Sequence, residues 1–148
     1  YFRAKLAQEE QIRASGIPYS IVHATQFFEF IASIADASTE GEVVRVPDIA
    51  FQPMAADDVA AGVGRVAIGA PENGMVEIGG PELLRFEDAV RRVLVAADDG
   101  REVVADPKAG YYAISVTERS LVPADGARLG KTRLDDWIRQ SAARPAAV

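Results

Sequence analysis

A helix-forming run that halts at a glycine and turns straight into a buried strand limits this chain's fold more than any other feature. Residues Tyr1 to Ser15 carry the strong helix formers Ala4, Leu6, Ala7, Gln8, Glu9, Glu10 and Gln11, which lose little on entering helical backbone. Gly16 offers the left-handed stop and Pro18 forbids continuation. The run that follows, Tyr19-Ser20-Ile21-Val22-His23-Ala24, is short, partly β-branched and bounded by turn residues, the pattern of a buried strand. A helix feeding directly into such a strand is half of a βαβ unit, so the expected class is α/β with a parallel sheet.

The first helix also places chemistry. Tyr1 and Lys5 stand four apart, so phenol and ammonium project from one face. A nearby cation favours phenolate and draws a tyrosine down from about 10 toward the working range of a proton donor. The same spacing arises on plain amphipathic helices, and a surface role for the pair stays open.

The run Tyr1-Phe2-Arg3-Ala4-Lys5-Leu6-Ala7-Gln8-Glu9-Glu10, then Ser15-Gly16-Ile17-Pro18-Tyr19-Ser20-Ile21-Val22, then Ala24-Thr25-Gln26-Phe27, resembles the short-chain dehydrogenase/reductase superfamily, closest to its atypical NmrA-like, NAD(P)-binding branch. Phe51-Gln52-Pro53, Asp57-Asp58-Val59-Ala60 and Gly79-Gly80-Pro81-Glu82 look like later landmarks of that family. The resemblance implies an NAD(P)-dependent oxidoreductase acting on a small carbonyl or alcohol, with Tyr1 as general acid or base. Lys5 is then the residue that tunes Tyr1 and holds the nicotinamide ribose. The loop Ala24-Thr25-Gln26 passes the nicotinamide, and Gln26, Phe27 and Met54 face the substrate. The family also includes NAD(P)-sensing regulators, and a non-catalytic protein-binding module is a further alternative.

The Gly-rich turn that holds a dinucleotide pyrophosphate follows a strand and opens a helix. Gly62-Val63-Gly64 lies inside a helical pattern and fails that context. The chain is therefore read as the C-terminal half of a Rossmann-like, doubly wound sheet with a small substrate-binding subdomain. That reading takes the chain as truncated, inactive alone and without tightly bound NAD(P). Residues 1–40 hold the motif helix, strand and next helix, 41–140 the substrate-side region, and 141–148 a frayed tail.

Ligands of open α/β sheets bind beyond the carboxyl ends of the strands, which puts Ala24, Thr25 and Gln26 where a ligand would lie. Alternatively, Thr25 caps the next helix and Phe27, Phe30, Ile31 and Ile34 form its buried stripe. His23 is read as a hydrogen-bonded core residue, not a base. Strands are expected at Glu42–Pro47, Ile49–Pro53, Met75–Ile78 and Glu102–Ala105. Gln52 and Pro53 are further lining candidates beside Met54. Asp57 is expected to cap a helix from Asp58 to Ile68 that buries Val59, Val63, Val66 and Ala67. The helix after Arg85 carries Phe86, Val90, Val93, Leu94 and Ala97 at helical spacing. From Asp106 to Lys131 periodicity fades, and Tyr111 and Tyr112 are candidates either for substrate contact or for loop packing. Thr132 and Asp135 suggest a cap for a last helix with Leu134, Trp137 and Ile138 inside.

Composition narrows the partners. Acidic residues outnumber basic ones, 22 to 16, for a net charge of −6, which argues against nucleic acid, whose phosphates demand a basic surface. There are no cysteines and one histidine, so disulfides, thiolate nucleophiles and thiolate or histidine-rich metal sites are not expected. No apolar run approaches the roughly 20 residues that cross a bilayer, and a cytoplasmic location is the default. Half of a doubly wound sheet presents an open strand edge, so self-association into a homo-oligomer through that edge is expected.

Overall fold

The computed structural model describes residues 2–112 and 114–143, and for Phe2 only the backbone. Helix α1 (Phe2–Ala14) ends where expected, with Gly16 at φ +71°, a region that costs other residues a Cβ clash. Strand β1 (Ser20–Ala24) follows. The chain stays extended to Phe27, makes one 3-10 turn at Phe28–Phe30, and enters α2 (Ile31–Ala37). Then come β2 (Thr39–Glu40), β3 (Val43–Pro47), β4 (Ala50–Phe51) and α3 (Ala56–Ala67). Strands β5 (Gly74–Gly79) and β6 (Leu84–Arg85) lead into α4 (Phe86–Ala96), and β7 (Glu102–Asp106), β8 (Arg128–Leu129) and α5 (Leu134–Ala143) complete the order.

Strands β1, β5 and β8 form a parallel sheet in that order, with Ser20 opposite Gly74 and Ala24 opposite Ile78. A second sheet runs β2-β3-β7, its β3–β7 pair also parallel, and β4 and β6 make an antiparallel pair. Parallel pairing with helical crossovers is the α/β arrangement expected. The larger core gathers Phe28, Ile31, Ile34, Val44, Val46, Phe51, Phe86, Val90 and Leu134 around α4. A smaller one sits between α3 and the β1–β5 pair, where Met54, Val76 and Ile78 meet Val22, Val59 and Val66. Among the described residues no helix is long and apolar enough to cross a membrane.

Three expectations are corrected. The residue turned inward after β1 is Phe28, at 1% exposure, whereas Phe27 is half-buried and Phe30 is 55% exposed. The cause is phase. Phe27 remains extended (φ −97°, ψ 143°) and pairs with Met54 through bonds from Phe28 N–H to Met54 O (2.9 Å) and from Met54 N–H to Gln26 O (2.8 Å). Helical turning therefore starts later than a Thr25 cap would place it, and Phe28, Ile31, Ile34 and Ala35 share the inner face. Second, α3 packs through a face centred on Gly62, where a Cβ would lie 3.0 Å from Ile78 Cδ1, leaving Val63 and Ala67 exposed.

Third, the helix starts are capped from far away. The position before α3 is Ala55, with no side-chain cap of its own. The Ala56 N–H instead meets the Glu29 carboxylate at 3.1 and 3.2 Å, and Glu29 also accepts the Trp137 indole N–H at 2.9 Å. Asp57 and Asp58 lie in the first turn of α3, near its positive end, and Asp58 accepts the backbone N–H groups of Lys131 and Thr132. At α5 the Leu134 N–H goes to Glu82 at 2.8 Å.

Candidate functional site

The site is built at the carboxyl end of β1, between α1 on one side and the ends of β5 and the segment Ser120–Pro123 on the other. Lys5 lies on the exposed face of α1, its ammonium 3.4 Å from Gln8 Oε1. With Leu6, Glu9, Ile12 and the length of β1 it lines a groove of about 600 Å³ that ends at Ala24. Ala24, Thr25 and Gln26 line a smaller cavity of about 160 Å³, closed by Glu77, Ile78 and Ser120–Pro123. His23 and Ala24 border both spaces.

The backbone of the loop after β1 is bonded within the fold. Thr25 donates its N–H to Ile78 O at 3.1 Å, and Gln26 O accepts from Met54. By contrast, Thr25 Oγ1 and Gln26 Oε1 are buried with no hydrogen-bond partner among the described residues. Such atoms cost about 1–3 kcal/mol each unless water or a ligand completes them. Two neighbouring orphans at one strand end mark it as the place to look for a bound polar group.

The cavity wall is stiff. Gly80 presses its backbone on the Gln52–Pro53 turn, where a Cβ would fall 1.8 Å from Pro53 O. Gln52 Nε2–H donates to Gly80 O at 2.8 Å, and the Gln52 N–H reaches Leu121 O at 3.2 Å. Glu77 accepts the Ala124 N–H. Pro123 covers Gly79, where an added Cβ would lie 2.8 Å from Pro123 Cγ.

Of the residues singled out from the sequence, Lys5 and Ala24 share the groove, and Ala24, Thr25 and Gln26 share the cavity. Tyr1 lies outside the described residues. Phe27 stacks on Phe30, with centroids 5.7 Å apart and planes 22° apart. Met54, 1% exposed, packs with Val76 and Ile78; its side chain is in the core, which corrects its assignment as a pocket wall. Pro53 is likewise buried. Tyr111 packs beside Phe86, and burial pushes its hydroxyl up to about 12. Tyr112 borders a separate cleft of about 430 Å³ with Arg45 and Lys108.

His23 departs from the core role expected of it. Its side chain is 42% exposed and its Nε2 lies 2.7 Å from Glu9 Oε1, joining β1 to α1. That hydrogen bond is the main reason the Glu9 carboxyl is held below its ordinary value, with Arg13 adding a smaller pull in the same direction. Sequence reading singled out Gln52 as a wall residue but missed Glu9 and the Ser120–Pro123 segment. Only Gly80 carried a signal for that segment, as a glycine at a strand end where another backbone comes close.

Parallel strands joined by helices, with the candidate residues beyond a strand's carboxyl end, define an α/β protein of Rossmann-like fold. No protein-family model matches the chain, and no curated protein does either. Among solved structures it is similar to RMD from Pseudomonas aeruginosa complexed with NADPH, at a TM-score of 0.52 and 13% sequence identity. The match covers 91% of this chain and 50% of that one, so the chain spans about half the length of the structure it resembles. At that identity the likeness is one of fold.

Proposed function

We propose that this chain is the substrate-side half of an NAD(P)-dependent oxidoreductase of the short-chain, NmrA-like type, acting on a small carbonyl or alcohol. The observation that carries the reading is the pair of orphaned buried polar atoms, Thr25 Oγ1 and Gln26 Oε1, beyond the carboxyl end of β1. That is where open α/β sheets take their ligands. The fold shared with an NADPH-complexed protein supports it further.

The residues present fit the nicotinamide end of the cofactor. Lys5 and Ala24 border one groove, and Thr25 and Gln26 line the cavity beside it, each with a buried oxygen that has no hydrogen-bond partner among the described residues. When bound, the cofactor supplies or accepts a hydride. This chain's own part is to hold and orient the ring through Thr25 and Gln26, and to close the far side with the Ser120–Pro123 wall. In this reading Tyr1 gives a proton to the carbonyl oxygen, or takes one from the alcohol in reverse, and Lys5 stabilises its phenolate form. A cavity of about 160 Å³ is smaller than the roughly 300–1,000 Å³ of a complete ligand pocket. The pyrophosphate and adenosine would therefore reach beyond this cavity.

The test is a titration with NADPH and NADH followed by nicotinamide fluorescence, on this chain and on a longer protein carrying both halves. The longer protein binds and this chain alone does not. Binding by neither would sink the reading. In the longer protein Tyr1→Phe and Lys5→Ala each reduce turnover by about 10²–10⁴-fold, the usual worth of a positioned acid or base. A cofactor-sensing regulator would have no turnover to lose.

A further inference from the structure

We propose that His23 is a positioning residue, which orients helix α1, and with it Lys5, against the carboxyl end of β1. Its consequence for chemistry rests on the function proposed above; the positioning itself does not. His23 occupies the strand position just before Ala24, and its Nε2 reaches Glu9 Oε1 at 2.7 Å. Glu9 lies one helical turn beyond Lys5, on the same face of α1, and both side chains border the groove. Fixing Glu9 therefore fixes the rotation of α1 about its own axis, and so the direction in which Lys5 projects.

Helix α1 has need of such a fix. Between residues 3 and 14 only Glu9 and Ile12 are better than exposed, and the groove of about 600 Å³ separates much of the helix from β1. An apolar contact through Ile12 keeps the helix near without setting its rotation, because the hydrophobic effect has no direction. A 2.7 Å hydrogen bond does have one. Arg13 at 2.9 Å holds the second carboxylate oxygen, Oε2, so Glu9 is gripped from both sides and presents Oε1 to β1.

Backbone amide exchange along this chain tests the idea without cofactor or turnover. In His23→Ala the amides of α1 exchange roughly two- to tenfold faster, the scale of one hydrogen bond, while β5 and α4 keep their rates. His23→Gln, which can still donate to Glu9, restores protection in α1. Glu9→Ala also removes the Arg13 pair, so the cycle is read in the other order. In a Glu9→Ala background His23→Ala brings little further change, since the interaction it removes is already gone. Unchanged exchange of α1 in His23→Ala overturns the proposal, as does an equal rise throughout the chain. In the longer protein, His23→Ala lowers kcat with KM nearly constant and His23→Gln recovers it; an unchanged kcat overturns the link to Lys5. Failure of NAD(P) binding would remove the proposed function and leave the exchange result standing.

Discussion

Gly80 is the residue whose identity the backbone dictates most sharply. A side chain there would overlap the Pro53 carbonyl, with Cβ and oxygen 1.8 Å apart, and the atom in the way is main chain that cannot rotate aside. Gly80→Ala is expected to destabilise the protein by about 3 kcal/mol, at the upper end of ordinary point substitutions. Urea unfolding measures it, and a loss within ~0.5 kcal/mol of zero would show that the turn yields. Glu9 sets a pH dependence at the same scale. Its carboxyl is lowered in the folded protein from an ordinary 4.5, first by the His23 hydrogen bond and then by the charges of His23 and Arg13. A depressed carboxyl stabilises the docked form above its unfolded value, and that contribution fades as pH falls through the folded value. Protection of the α1 amides should therefore decline below about pH 4.5 in the native chain. In Glu9→Gln, which has no carboxyl to titrate, it should stay flat.

At the scale of elements, helix starts show where local reading works and where it stops. Helix α4 was legible because its apolar positions repeat at the helical period, and Phe86, Val90, Val93 and Leu94 are indeed buried. The cap of α3 was not. Its acids are in the first turn as composition suggested, but the carboxylate on its Ala56 N–H arrives from Glu29, a contact that exists only once the chain has folded. Of the stripe expected after Thr25, Ile31 and Ile34 are buried, while Phe28 takes the place of Phe27 and Phe30 for a similar reason. Whether the turn after β1 is extended or helical at Phe27 depends on Met54 being there to pair with it. Glu29→Ala is expected to cost about 1 kcal/mol, the usual price of a lost helix cap, and to speed exchange in the first turn of α3. Equal exchange in the two proteins would mean that Glu29 is dispensable there.

For the whole molecule, the parallel sheet and its helices followed from alternating helical and β-branched runs, while the segment from Asp106 to Lys131 had no period to read. That segment is held by scattered bonds such as Gln52 N–H to Leu121 O and Gly130 N–H to Gly79 O, so the wall it gives the site could not be anticipated. The orphaned oxygens of Thr25 and Gln26 were equally invisible, since satisfaction of a polar atom is a property of its neighbours. In the sheet β1-β5-β8, β1 is an outer strand, and an outer strand offers unpaired backbone groups to another chain. We expect two copies of this chain to associate along β1. Light scattering that reports a monomer at every micromolar concentration would exclude it.

The chain has one tryptophan, and Trp137 sits where α5 meets Phe28 and Glu29, its ring 5.6 Å from that of Phe28. Its intrinsic emission therefore reports melting of the larger core, to which helix α1 contributes no residue. An unfolding curve recorded by that emission would look two-state even if α1 left first. Replacing Leu6, which faces the groove at 58% exposure, with tryptophan would give α1 an optical signal of its own.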